Sequence, residues 1–120
     1  MSWSEYTRFR PAFAQILDPR FYTIQWLDSQ VVSGKFRLFS DDNSAILVSI
    51  RTYPTGLKEL CGEAATGNLS AIARKLIPQS IEWAQSIGCT SARIESRAGW
   101  AKAMKKDGFE IHQVAIRKDI

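Results

Sequence analysis

Cys89-Thr90-Ser91-Ala92-Arg93-Ile94-Glu95-Ser96-Arg97-Ala98-Gly99-Trp100, continued by Ala101-Lys102-Ala103-Met104-Lys105-Lys106-Asp107-Gly108-Phe109 and the run to Ile120, decides how this chain is read. Residues 90–96 have the composition of a strand, and Gly99-Trp100 opens a short helix. Trp100, Ala103 and Met104 form the inner face of that helix, with Lys102, Lys105 and Lys106 outside. Lysines late in a helix are favoured by its dipole, so the cluster needs no ligand to explain it. Asp107-Gly108 stops the helix. Phe109, Ile111, Val114 and Ile116 then predict a final strand over 110–118, with a bulge near Gln113 where the alternation shifts phase.

Upstream, Gly67-Asn68-Leu69-Ser70 begins a long helix that runs to Ile87, with Asn68 or Ser70 as its N-cap. Ile72/Ala73, Leu76/Ile77, Ile81 and Ala84 make its apolar face. Pro78 should kink it, since the stripe continues in phase, and Gly88 suits the C-cap. Ala45-Ile46-Leu47-Val48-Ser49-Ile50 is a nearly continuous apolar run, as expected of a central strand covered on both faces. Residues 35–39 pair with it through an Asp41-Asp42-Asn43 turn. Tyr53-Pro54-Thr55-Gly56 breaks the strand, and residues 57–66 stay unassigned apart from a short strand at 57–61. Residues 21–30 are ambiguous: Tyr22, Ile24 and Trp26 alternate like a strand, while Phe21, Ile24 and Leu27/Asp28 also suit one or two helical turns, and the reading leans to a strand or irregular connection. At the start, Trp3, Tyr6, Phe9, Phe13 and Ile16/Leu17 predict a helix covering the sheet. Pro11 either kinks it or opens a second helix, and Asp18-Pro19 ends it. The order predicts one α/β (α+β) domain over 1–120, a mixed, mainly antiparallel sheet with helices on both faces.

Composition narrows the function. With 45% hydrophobic and 23% charged residues over 120 positions, the chain can bury a core without disulfides or metals. Cys61 and Cys89 lie apart, outside any Cys-x-x-Cys pattern, and His112 is the one histidine, so no metal-ligand set is predicted. A net charge of +4 favours an anionic partner without choosing one, and no basic run or RNA-binding signature points to nucleic acid. No apolar run spans a bilayer, and Met1-Ser2-Trp3-Ser4-Glu5 lacks a signal-peptide layout. The expected location is the cytoplasm, or a particle packaged from what is made there.

The element order resembles the GNAT N-acetyltransferases and, more narrowly, small GNAT-like proteins encoded by tailed bacteriophages. The carrying residues are Tyr53-Pro54, Gly67-Asn68-Leu69, Ile81-Glu82-Trp83-Ala84, Gly88-Cys89, Arg97-Ala98-Gly99-Trp100 and Gly108-Phe109. The resemblance implies that the loop before the long helix would cradle the pyrophosphate of acetyl-CoA. The family pattern there is Arg/Gln-x-x-Gly-x-Gly/Ala. Here the stretch is Ala64-Ala65-Thr66-Gly67-Asn68-Leu69, and only Gly67 matches. The resemblance also implies a tyrosine four residues before Gly108 as general acid, and that position is Met104.

Cofactor-binding candidates are therefore Gly67, Asn68 and Arg97, the last at the end of a strand, where an arginine can clamp a phosphate. Tyr53 and Glu95 are the catalytic candidates, with Glu59 and Glu63 further carboxylates that could take a proton from an amine. The two departures lead to the expectation of a non-catalytic protein-binding module of a phage particle or its assembly, its partners phage structural proteins and its cofactor none. The alternative is an acetyl-CoA-dependent N-acetyltransferase acting on a primary amine. A transferase should open a V-shaped cleft between residues 45–51 and 90–97 near Gly67, whereas a binding module should fill it with Leu69 or Trp100.

Overall fold

The computed structural model describes residues 3–97 and 99–120; Met1 and Ser2 of the N-terminal reading and Ala98 of the Arg97–Trp100 motif lie outside them. Helix α1 (Trp3–Ile16) buries Tyr6, Phe9 and Phe13, the predicted stripe. Pro11 sits inside α1 on its exposed side and does not split it. Only one carbonyl, that of Thr7, loses its helical donor there.

Residues 21–30 are not a strand. Helix α2 (Ile24–Val32) replaces it, because the Thr23 hydroxyl accepts the Trp26 N–H at 3.1 Å and caps the first turn. Leu27 and Val31, four apart, then share one buried face. Across α1 and α2, the Tyr6 hydroxyl donates to Asp28 at 2.7 Å and Arg10 grips the same carboxylate at 2.8–3.1 Å.

The sheet holds four strands in chain order, β1 (Arg37–Ser40), β2 (Ala45–Thr52), β3 (Lys58–Thr66) and β4 (Ser91–Ile94). The first three are antiparallel and β4 joins β3 in parallel. Strand β3 corrects the unassigned reading of 57–66: it is full length although Glu59, Gly62, Glu63, Ala64 and Ala65 are poor strand formers. Pairing along all of β2 overrides local preference. Its register slips once, since Leu47 faces Ala64 but Val48 faces Gly62, so Glu63 is the extra residue of a bulge.

Each face of the sheet carries a core. Tyr6, Phe9, Phe13, Leu27, Val31 and Phe36 cover Leu38, Ala45 and Leu47 on one side. On the other, Ile46, Val48 and Leu60 meet Ile72, Leu76, Ile77 and Ala84 of the long helix. That helix runs without a break through α3 (Leu69–Ala71), a π segment (Ile72–Leu76) and α4 (Ile77–Ser86). The irregularity expected at Pro78 takes the form of the π turn, in which the Ile77 N–H reaches back to the Ile72 carbonyl.

After β4 come α5 (Gly99–Ala103) and a 3-10 turn (Lys105–Asp107). The final strand predicted over 110–118 does not form; residues 109–120 make neither helix nor strand. Their alternation is present, but among the described residues they make none of the ladder hydrogen bonds that turn alternation into a strand. The helix of the preceding stretch is as expected, with Met104 fully buried in the second core.

Candidate active site

Strands β3 and β4 run side by side only from Glu59/Ser91 to Gly62/Ile94. Beyond that point β3 continues through Glu63, Ala64, Ala65 and Thr66, whereas the other chain leaves the sheet through Glu95, Ser96 and Arg97. The two segments enclose a cavity of about 800 Å³. Ile46, Val48, Leu60 and Ile72 from one core line it, together with Leu17 and Leu47 of the other core and with Tyr22. The opening therefore lies between β3 and β4 rather than between residues 45–51 and 90–97. Leu69 and Trp100 stand in its walls without closing it.

At the mouth near the long helix, Gly67 has φ +112°, and a Cβ there would lie 2.5 Å from the Asn43 carbonyl oxygen and from Ser44 Oγ. Glycine is thus required by the packing of this loop on the β1–β2 turn. Asn68 caps the helix, accepting the Ala71 N–H on Oδ1 at 3.0 Å, while its own N–H donates to the buried Ser44 Oγ at 3.0 Å. Both groups are committed to structure, so Asn68 is a positioning residue for the loop. Ser44 is fixed in turn by Asp41, whose carboxylate accepts its N–H at 2.8 Å, and Arg8 donates to the Asp41 and Asp42 carbonyls at 2.9 and 2.7 Å. The next two helical N–H groups, of Leu69 and Ser70, have no partner among the described residues. Unpaired N–H groups at the start of an 18-residue helix favour an anion. Arg97 lines the same cavity.

The carboxylates separate. Glu59 lies at the zipped end of β3, accepting the Tyr53 hydroxyl at 2.7 Å and the Ser91 hydroxyl at 2.8 Å. Tyr53 is accordingly bound up away from the cavity and is not among its lining residues. Glu95 lines the cavity and pairs with Arg93 at 3.0 Å. Glu63 lines it from the bulge, its Oε1 accepting the Ser49 hydroxyl at 2.6 Å. Ser49 shares the strand face of Leu47, which puts this pair on the side of the sheet that carries α1 and α2. Sequence reasoning named Glu63 without choosing it, and the bulge that singles it out depends on register with β2. Met104 fills the general-acid position with a side chain only 1% exposed. Both cysteines are buried, which pushes their thiols up and away from nucleophilic use. Among the described residues no group of His, Cys, Asp or Glu is placed to hold a metal, and no helix is long and apolar enough to cross a membrane.

No family model and no curated protein matches the sequence. Solved structures do match. An acetyltransferase from Trypanosoma brucei superposes with TM-score 0.71 at 14% identity, covering 100% of this chain and 96% of the other. Glucosamine-6-phosphate N-acetyltransferase from Arabidopsis thaliana gives 0.70 at 12%, covering 99% and 94%. The chain has the GNAT fold. A predicted acetyltransferase from Clostridium acetobutylicum, solved with acetyl-CoA, gives 0.64 at 10%, covering 95% and 86%. At such identities the likeness carries the GNAT fold and leaves activity to be argued from the site.

Proposed function

We propose that this protein is an acetyl-CoA-dependent N-acetyltransferase acting on a primary amine. The observation that carries the reading is the β3/β4 seam, whose pairing ends at Gly62 and Ile94 beside a cavity of about 800 Å³. A thioester and an amine would share that cavity, the thioester entering beside Gly67 and Leu69 at the start of the long helix. The Leu69 and Ser70 N–H groups and Arg97 would hold the anionic part of acetyl-CoA, which supplies the activated acyl carbonyl when bound. Glu63, steadied by Ser49, takes the proton from the incoming ammonium. Met104 cannot donate a proton, and a general acid is not indispensable, because a thiol of pKa about 8.5 leaves readily as thiolate near neutral pH.

The open cavity also weighs against the non-catalytic binding module, whose cleft Leu69 or Trp100 was expected to fill. The narrower phage resemblance rests on sequence motifs and has no counterpart among the structural neighbours named above. Calorimetric titration with acetyl-CoA and CoA tests the reading. Micromolar binding is expected, and Glu63→Gln should lower kcat by about 10²–10⁴ while leaving CoA affinity in place. Absence of both heat and thermal shift at millimolar CoA would sink the proposal.

A further inference from the structure

The loop that joins α1 to α2 is tightly built. The Asp18 carbonyl accepts the N–H groups of Phe21 and Tyr22, each at 3.0 Å, and its carboxylate accepts the Arg20 N–H at 3.0 Å. Asp18 and Tyr22 line the cavity that Glu63 also lines, so the loop holds Arg20 and Phe21 at the cavity rim. Two guanidinium groups lie over the half-exposed Phe21 ring, that of Arg20 at 5.0 Å and that of Arg117 at 4.3 Å. Arg117 arrives from the far end of the chain. Two cations gathered at one ring repel unless an anion lies near both. Asp18 is that anion at present: hydrogen bonds from Arg20, and to a smaller extent the charge of Arg117, hold its carboxyl below the usual range. One carboxylate serves two guanidinium groups, and Arg117 enters no ion pair among the described residues.

We infer that Arg20 and Arg117 set the acceptor specificity, selecting a primary amine that carries a phosphate or a carboxylate away from its amino group. The inference rests on the acetyltransferase reading above and names its acceptor class. The ammonium end goes to Glu63 inside the cavity, and the anionic end stays at the rim. Donors are available there. A guanidinium stacked on a ring engages it through its face and keeps its in-plane N–H groups for a partner. Arg20 gives Nε and Nη2 to Asp18 at 3.3 and 3.0 Å and keeps Nη1, while Arg117 spends no N–H on a described residue. The planar fork of arginine matches the oxygens of a phosphate or carboxylate. Asp18 does not block them, because an exposed ion pair of this kind is weak, and the Arg20 side chain is 64% exposed. An acceptor with a second cation would meet two guanidinium groups at the same rim, so the pair also rejects diamines. The loop hydrogen bonds fix Arg20 before any ligand arrives. Arg117 is brought across by its own segment, through the Phe109 N–H on the Met104 carbonyl at 3.3 Å and Arg93 on Gln113 at 3.2 Å.

Steady-state acetylation of ethanolamine, phosphoethanolamine and β-alanine, and of their longer-chain homologues, tests this alongside acetyl-CoA titration by calorimetry. An anionic acceptor is expected to show a KM about tenfold or more below that of the matched neutral amine. A lead for the phosphate compounds alone assigns a phosphate, and a lead for the amino acids alone assigns a carboxylate. Arg117→Gln should raise KM for the anionic acceptor about tenfold, with the change falling on KM rather than kcat. Its far-UV circular dichroism should be kept, since Arg117 is exposed. Equal KM values across each matched set, or a lead for the neutral amines, overturn the inference; micromolar acetyl-CoA binding would then leave the acetyltransferase reading standing. An equal rise in KM for charged and neutral amines in Arg117→Gln marks a structural role and overturns it too. Absence of acetyl-CoA binding to the wild-type chain brings down both readings.

Discussion

The two ends of the β3–β4 seam are made of the same two chain segments and behave in opposite ways. At the zipped end, Glu59 faces Ser91 and Gly62 faces Ile94, and side-chain hydrogen bonds tie the pair together: Tyr53 and Ser91 donate to Glu59, and Arg93 donates to Gln113. At the open end, the bulge at Glu63 turns β3, and Ala64 and Ala65 present too little volume to fill the space they face. The contrast teaches that the cavity is produced by one extra backbone residue and two small side chains. It needs no missing strand.

Breaking the open end at its hinge should have the largest effect. Gly67→Val places a branched side chain at φ +112° where even a Cβ meets Asn43 and Ser44 at 2.5 Å. We expect a loss of about 3 kcal/mol or more in denaturant unfolding, with CoA binding lost in parallel. Filling the open end is gentler. Ala65→Leu puts added volume against the cavity, at a stability cost of about 1–3 kcal/mol. CoA binding should disappear in calorimetry while the chain still folds, which separates the shape of the cavity from the integrity of the seam.

The smallest effect belongs to the zipped end. Burial opposes charge on Glu59, but hydrogen bonds from Tyr53 and Ser91 with Arg93 and Arg51 nearby outweigh it and hold the carboxyl below its usual range. A carboxyl lowered by folding stabilises the native state above its unfolded value of 4.5, and that contribution is lost as pH falls through the lower folded value. Tyr53→Phe should cost about 1 kcal/mol at pH 7 and less in acid, measured as the midpoint of urea unfolding against pH. It should leave kcat unchanged, since Tyr53 stands outside the cavity.

What could be read from the chain tracks how local each cause is. The Asn68 cap, the apolar face of the long helix and the buried strand β2 were legible because capping chemistry and burial leave marks within a few residues. Helix α2 was misread because Tyr22, Ile24 and Trp26 alternate, while its decisive signal was the single hydroxyl of Thr23. Strand β3 was illegible over its second half, since Glu63-Ala64-Ala65 becomes a strand only through β2. That omission displaced the expected cleft by one strand and hid the bulge that selects Glu63. Residues 110–118 fail the other way, with a clear pattern and no strand ladder among the described residues. Gly67 was picked out as a cofactor-binding residue from its place in the loop, whereas the reason the structure shows for a glycine there is the β1–β2 turn 23 or more residues away, which spacing cannot reveal.

That turn has a kinetic consequence. Arg8 holds Asp41 and Asp42, Asp41 holds Ser44, and Ser44 holds Asn68, so the mouth of the cavity is tied to the first helix through a chain of hydrogen bonds. The loop does not have to be ordered by whatever binds there, and the entropy of ordering it has already been lost on folding. Encounter and capture at this mouth are then one step, with association limited by diffusion and orientation and residence time left to decide affinity.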